Sequence, residues 1–264
     1  MLSKTNQYIR SLKLNRDSIS SFNEYPFNLP AIHNLSTLEF HPRVTFIVGE
    51  NGAGKSTILE AIAIAYGFNP EGGTKNFNFS SKDTHSELDE HIKLIKGVRL
   101  PKDGFFFRAE SFYNVASNID YLNSIDHGHS SFLDMYGGKS LHSQSHGESF
   151  FSIFVNRFSG SSLYILDEPE AALSPSRQMA MIRRIHQLVQ SNCQFIIATH
   201  SPIIMTYPDA VIYEITGSSI TEVDYDETEH YQVMRAFFDN PKRIIDMLIK
   251  EDNENWTSEP NKTI

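Results

Sequence analysis

Between positions 49 and 57 the chain reads Gly49, Glu50, Asn51, Gly52, Ala53, Gly54, Lys55, Ser56, Thr57, a run with three glycines, a lysine and two adjacent hydroxyls. The spacing G-x-x-x-x-G-K-[ST] holds from Gly49 to Ser56. Glycines at this spacing let successive backbone N–H groups turn inward around phosphate oxygens, aided by the positive end of a following helix. The Lys55 ammonium can then lie against β- and γ-phosphates, and the Ser56 hydroxyl can bind Mg²⁺. A bare glycine turn would do no more than tighten a strand–helix junction. The flanking segments, an apolar RVTFIV and a helix-like TILEAIAIAY, supply the context that a phosphate loop needs.

Two more stretches carry chemistry. In LYILDEPE an apolar run ends on Asp167 and Glu168. A carboxylate at the end of a buried strand beside a phosphate loop can hold Mg²⁺ or its waters, the role expected of Asp167. Glu168 would stand nearer the γ-phosphate, where a carboxylate can orient and polarise an attacking water. The alternative is a solvated strand end before a proline turn. Glu170 is expected in the loop rather than in the reaction. In QFIIATHSP another buried run delivers Thr199, His200 and Ser201 to a strand end. Ligands gather at the carboxyl ends of strands in open α/β sheets, so His200 is a candidate to contact the γ-phosphate or the water.

The elements that must position these residues follow from periodicity. IRSLKL alternates as a strand near residues 9–14, and apolar strands are expected in RVTFIV, GFFFR, SSLYILD, CQFIIA and AVIYEI. SITEVDY closes a hairpin through TGSS. Helices are expected in TILEAIAIAY, ESFFSIFVNRF and SPSRQMAMIRRIHQLVQS, the last with Ser174 as N-cap and Pro175 at its first position. HYQVMRAFF and PKRIIDMLIKE form amphipathic helices. Residues 69–104 read as an irregular polar surface region apart from the strand at its end. Residues 112–150 read as a helical and irregular insertion. Strands alternating with helices predict an α/β protein of the P-loop NTPase class. Its mainly parallel central sheet is flanked by helices, with a small antiparallel N-terminal part. One domain over 1–250 and a disordered tail over 251–264 are expected.

The composition of 264 residues, 40% hydrophobic and 21% charged, fits an ordinary globular protein without a membrane-spanning run. The N-terminus lacks the continuous apolar region of a secretory signal and is read as part of the mature fold. The net charge of −9 argues against a broadly basic nucleic-acid surface, though not against a local groove. The single cysteine, Cys193, allows no internal disulfide, suits a cytoplasmic location and reads as a buried, inert thiol.

GENGAGKST, YILDEPEAAL and ATHSP, in this order, resemble the ATPase domains of the ABC superfamily. The likeness is to its non-transport members: chromosome-maintenance and DNA-repair ATPase heads and small AAA-type ATPases of bacteria. It extends from about residue 30 to 215. The resemblance implies ATP and Mg²⁺ as cofactors, hydrolysis to ADP and phosphate, and an ATP-dependent head-to-tail homodimer. In such a dimer each nucleotide meets the phosphate loop of one chain and a signature motif, usually LSGGQ, of the other. SHGES stands at that place on a helical subdomain: Ser145 matches the signature serine, Gly147 its second glycine and Glu148 its glutamine, while His146 replaces the first glycine. A serine hydroxyl, a glycine N–H and a helix N-terminus also suit an anion on physical grounds; a plain helix N-cap is the alternative.

Other family positions depart further. Glu110 occupies the place of the Q-loop glutamine that contacts Mg²⁺ or water, or else serves as a salt-bridged acid beside Arg108. Ser174 stands where the D-loop has aspartate. Tyr25 and Phe27 are candidates to stack on adenine, or else packing residues. His127, His129, His142 and His146 crowd one region, but their spacing matches no zinc pattern. The implied activity is an ATPase whose dimerisation drives a change in a partner protein or nucleic acid. The alternatives are the ATPase subunit of a membrane transporter, which would carry a strict LSGGQ, or a slow nucleotide switch or scaffold in a defence or stress module. No heptad run suggests a coiled-coil arm.

Overall fold

Residues 1–75, 86–125, 132–143, 145–217 and 219–256 are described by a computed structural model of the chain, in two compact units, Met1–Val223 and Asp224–Ile264. The expected domain of residues 1–250 spans the first unit and most of the second.

The centre of the first unit is a six-stranded sheet. It is built from β3 (Val44–Gly49), β5 (Asp103–Arg108), β6 (Ser162–Asp167), β7 (Gln194–Ala198), β8 (Val211–Thr216) and β9 (Ser219–Val223), in the order β5-β6-β7-β3-β8-β9. Every pairing is parallel except the β8–β9 hairpin. β3, β6 and β7 are buried at every residue. Burial on both faces is what their unbroken apolar sequences require. A second, antiparallel sheet has the order β2-β1-β4, from β1 (Ile9–Leu14), β2 (Thr37–Glu39) and β4 (Ile92–Lys96).

Among the described residues of the unit, α-helices are α1 (Pro30–His33), α2 (Lys55–Tyr66), α3 (Phe112–Ile125), α4 (His146–Asn156) and α5 (Pro175–Gln190). α2 is apolar almost all round and packs on strands of both sheets, which is why Ile58, Leu59, Ile62 and Ala63 are all inaccessible to solvent. It ends at Gly67, whose φ of 102° lets its N–H reach back to Ala63 and Ile64. The two sheets are also joined through one buried amide. Gln194 Oε1 accepts from the N–H groups of Tyr8 (3.0 Å) and Ile9 (2.9 Å), while its Nε2 donates to Ile9 O (2.8 Å) and His41 O (3.0 Å). α4 is fastened by aromatic rings. Phe107 of β5 meets Phe150 at 4.1 Å between centroids, and Phe158, just beyond α4, stacks on Tyr164 of β6 at 4.0 Å.

One sequence expectation needs correction. The region 69–104 holds more than its closing strand: Ile92–Lys96 is β4, paired along β1. Its short IKLIK pattern was masked by the polar residues around it, and long-range pairing supplies what local propensity did not. The helical part of the insertion expected over 112–150 begins with the continuous helix α3 over Phe112–Ile125, held by the burial of Phe112, Val115, Ala116 and Ile119. Residues 76–85, part of the polar region, lie outside the described residues, as does Ser218 of the expected TGSS turn. Cys193 is buried, its thiol pushed up to about 11 by desolvation.

The second unit holds α6 (Glu229–Asp239) and α7 (Pro241–Trp256). The Thr228 hydroxyl caps α6 by accepting from Tyr231 N–H. α7 extends into the stretch expected as a tail, of which residues 257–264 lie outside the described residues. Among the described residues no helix is long and apolar enough to cross a membrane.

Candidate active site

β3 delivers the glycine run to the sheet edge, where each glycine answers a different need. A Cβ on Gly49 would lie 2.6 Å from the Ile215 carbonyl oxygen of β8, so the neighbouring strand excludes any side chain. Gly52, at φ +77°, has open space, and its requirement is conformational. Gly54, at φ +103°, caps α2 and lies against Ala31 and Leu29. The loop is braced from outside by Ala31 N–H donating to Ala53 O at 3.1 Å. Lys55 is buried, and its ammonium donates to the carbonyls of Gly49 and Glu50, both at 2.8 Å. Burial pulls its pKa down, opposed by the carboxylates of Glu168, Asp167 and Glu170. An ammonium held, among the described residues, by loop carbonyls beside a glycine run and a helix start fits an incoming phosphate. The cleft over it has a volume of about 430 Å³ and is lined by Tyr25, Asn51, Gly52, Thr57, Glu110 and Glu168, among others.

Asp167 ends β6 between two neighbours, in register with Arg108 of β5 and Ala198 of β7. Its Oδ1 accepts the Ser56 hydroxyl at 3.0 Å, linking β6 to the first turn of α2. Desolvation raises the Asp167 pKa to about 7, with Ser56 and Arg108 opposing the rise. A hydroxyl and a buried carboxylate side by side are two hard oxygen donors, a set suited to Mg²⁺. Among the described residues Asp167 forms no salt bridge.

The chain then turns sharply. Glu168 has φ +50°, a left-handed conformation costly for a non-glycine residue, and its N–H donates to Ala198 O at 3.0 Å. The turn sends the carboxylate to the cleft, where Oε1 lies 3.5 Å from Nε2 of His200. His200 leaves the adjacent strand β7, so the adjacency of β6 and β7 is what joins the acid and the imidazole. Glu110 follows β5; it lines the cleft and lies 3.6 Å from the Arg108 guanidinium. Arg108 is also ion-paired to Glu60, a buried acid on α2. Sequence reading passed over Glu60, although a lone acid inside TILEAIAIAY is a signal, since a buried carboxylate needs a partner. The aromatic candidates separate: Tyr25 lines the cleft, whereas Phe27 is buried in the core against Phe22 and His91.

Ser145, Gly147 and Glu148 do not join this cluster within one chain. They open α4 beside a different groove of about 590 Å³, lined by Glu148, Phe151, Val155 and Arg177, among others. Ser145 Oγ accepts from Glu148 N–H at 3.4 Å, and Glu148 Oε2 accepts from Ser145 N–H (3.1 Å) and its hydroxyl (2.7 Å), a complete capping box. The hydrogen bonds from Ser145 hold the exposed Glu148 below the usual carboxylate range. Gly147 is the tightest glycine of this region: a Cβ there would lie 2.1 Å from the Ala172 carbonyl oxygen. Ser174, at the end of the same 168–174 loop, accepts from Arg177 N–H and caps α5. Of the clustered histidines, His142 packs on Tyr113 and bonds the Ser117 hydroxyl, while His127 and His129 lie outside the described residues.

Comparison with known proteins finds two family models and several similar proteins. The model of the AAA domain family matches residues 18–125, and that of the AAA ATPase domain family matches residues 148–205. ABC transporter G family member STR2 of Medicago truncatula is 27% identical over 176 residues, 60% of this chain and 24% of that protein. The chain thus spans about a quarter of the length of that relative. Among solved structures, the SMC head domain from Thermotoga maritima is 17% identical with a TM-score of 0.42, covering 83% of this chain and 100% of that one. A nucleotide-free ATP-binding cassette from an ABC transporter is 16% identical with a TM-score of 0.46, covering 89% and 97%. The two matched family models fall on the segments that carry the phosphate loop and the strand ends at Asp167 and His200.

Proposed function

We propose that this chain binds ATP with Mg²⁺ and hydrolyses it to ADP and phosphate in an ATP-dependent head-to-tail homodimer whose closure acts on a partner protein or nucleic acid. The observation that carries the reading is the convergence of Lys55, Asp167, Glu168 and His200 at the ends of neighbouring elements. The residues of SHGES open a helix elsewhere on the chain. In one chain the second group has no nucleotide to meet; in a head-to-tail pair it completes the partner's cleft.

The residues divide the work. Lys55 exchanges its loop carbonyls for phosphate oxygens, and the N–H groups from Gly49 to Thr57 surround the rest. Ser56 and Asp167 would hold Mg²⁺, which when bound neutralises charge on the phosphate oxygens. Glu168 takes the proton of the attacking water, and the His200 ring steadies that carboxylate. Glu110, on the cleft wall, orients water beside the metal position. Tyr25 offers a flat face for the adenine. Ser145 and Gly147 of a second copy present a hydroxyl and an N–H to the γ-phosphate.

The test is Glu168→Gln. It keeps shape and hydrogen bonding but removes the base, so ATP binding should persist while turnover falls by about 10²–10⁴-fold. Light scattering should then show a dimer that depends on added ATP. A variant that hydrolyses at the wild-type rate, or stays monomeric at saturating ATP, would contradict the reading.

A further inference from the structure

Glu170 has no assigned part in the chemistry, and it does not line the phosphate-loop cleft. Its carboxylate nonetheless reaches across from the loop after β6 to the turn after β7. Oε1 accepts the backbone N–H of His200 at 2.6 Å, and the Thr199 side chain also hydrogen-bonds to Glu170. Burial pushes this carboxyl above the usual range, offset in part by those bonds. A buried carboxylate costs more than an apolar side chain of the same size unless its bonds serve a purpose. A second tie runs parallel to it: Gln178 of α5 donates to Leu173 O (3.0 Å) and accepts the Ser201 hydroxyl (2.6 Å), while Ser201 Oγ accepts Ile204 N–H (3.1 Å). Residues 168–173 and 199–204 are therefore laced together by side chains on both flanks of His200. The His200 ring itself contacts Glu168, with Nε2 3.5 Å from Oε1.

We infer that Glu170 is a positioning residue: it fixes the backbone at His200, and through it holds the imidazole against Glu168. The inference rests on the reading of Glu168 and His200 as the hydrolytic pair. It assigns Glu170 no contact with nucleotide, metal or water, which makes its kinetic signature specific. Its removal should lower kcat and leave the KM for ATP nearly unchanged, because displacement by about an ångström at a reacting pair costs up to about 10²-fold in rate.

Three variants test this, Glu170→Ala, Glu170→Asp and Glu170→Gln, by steady-state kinetics and by backbone hydrogen exchange. Glu170→Ala should lower kcat by at least about 10-fold with KM within about twofold, and speed exchange across 199–204 but not across 49–57. Glu170→Gln keeps a carbonyl acceptor and should recover most of both losses, while Glu170→Asp, too short to reach, should resemble Ala. Wild-type exchange across 199–204 in Glu170→Ala and Glu170→Asp overturns the inference, and so does wild-type kcat in either. Glu168→Gln run alongside separates the two claims. Full turnover in that variant removes the hydrolytic reading, and with it the kinetic part of the inference. Loss of turnover there, with wild-type kcat in Glu170→Asp, removes the inference alone.

Discussion

A carboxylate that is to hold a cation gains from a dry site, yet dryness disfavours its ionised form, and Asp167 lies between these demands. Its pKa is raised from 3.8 to about 7 by burial. Between about pH 4 and pH 7 the folded chain therefore keeps a proton that the unfolded chain has lost. Stability contributed by this group is present at low pH and is lost as pH rises through that window, to a limit of about 4 kcal/mol above pH 7. Asp167→Asn should abolish the difference, so the cation-free variant should gain on the wild type from pH 4 to pH 8 in urea melts. Parallel profiles for the two proteins would refute the assignment. Ser56 and Arg108 temper the rise, as the Mg²⁺ expected here would do more strongly.

At the scale of elements, the start of α4 serves two ends with the same atoms. The capping box of Ser145 and Glu148 satisfies the helix terminus, and its exposure leaves the terminus available to a second chain. Ser145→Arg should block ATP-driven dimerisation of the Glu168→Gln protein while leaving its ATP affinity within about twofold, read by light scattering and nucleotide titration. Unimpaired dimerisation would remove Ser145 from the interface. Gly147 makes a different demand, because its Cα lies under the Ala172 carbonyl. Gly147→Ala should lose about 1–3 kcal/mol in chemical denaturation, since backbone must move to admit a methyl group. An unchanged midpoint would show that the 168–174 loop yields freely. That loop also carries Glu168, so the packing ties the start of α4 to the end of β6.

For the first unit as a whole, the joint between the two sheets is the place to press. Gln194→Leu keeps the volume of the side chain but withdraws bonds from Tyr8 N–H, Ile9 N–H and His41 O together. With about 1–3 kcal/mol for each buried group left unpaired, a loss of several kcal/mol is expected by urea denaturation. A loss below about 1 kcal/mol would show that water or a shift of β1 replaces the amide. The strand order explains how the site assembles at this scale. The chain passes from β3 to the far edge at β5 and returns through β6 and β7, so the phosphate loop, His200 and Asp167 leave successive strands at one sheet edge.

What the sequence determined by itself is the local structure that depends on neighbours along the chain. The phosphate loop was legible because glycine φ angles, the helix start and the lysine reach are set within nine residues. Asp167 and His200 were legible because an unbroken apolar run ending on a polar residue means a buried strand ending at an edge. β4 escaped, since five residues of mixed polarity become a strand only when β1 lies beside them. The tertiary structure alone decided the burial that raises Asp167, the pairing of Glu60 with Arg108, and the separation of Tyr25 from Phe27. It also decided that Glu170 grips His200 and that Ser145 opens away from its own cleft. Each of these is a relation across tens to hundreds of residues, set by sheet order and packing, for which local sequence carries no term.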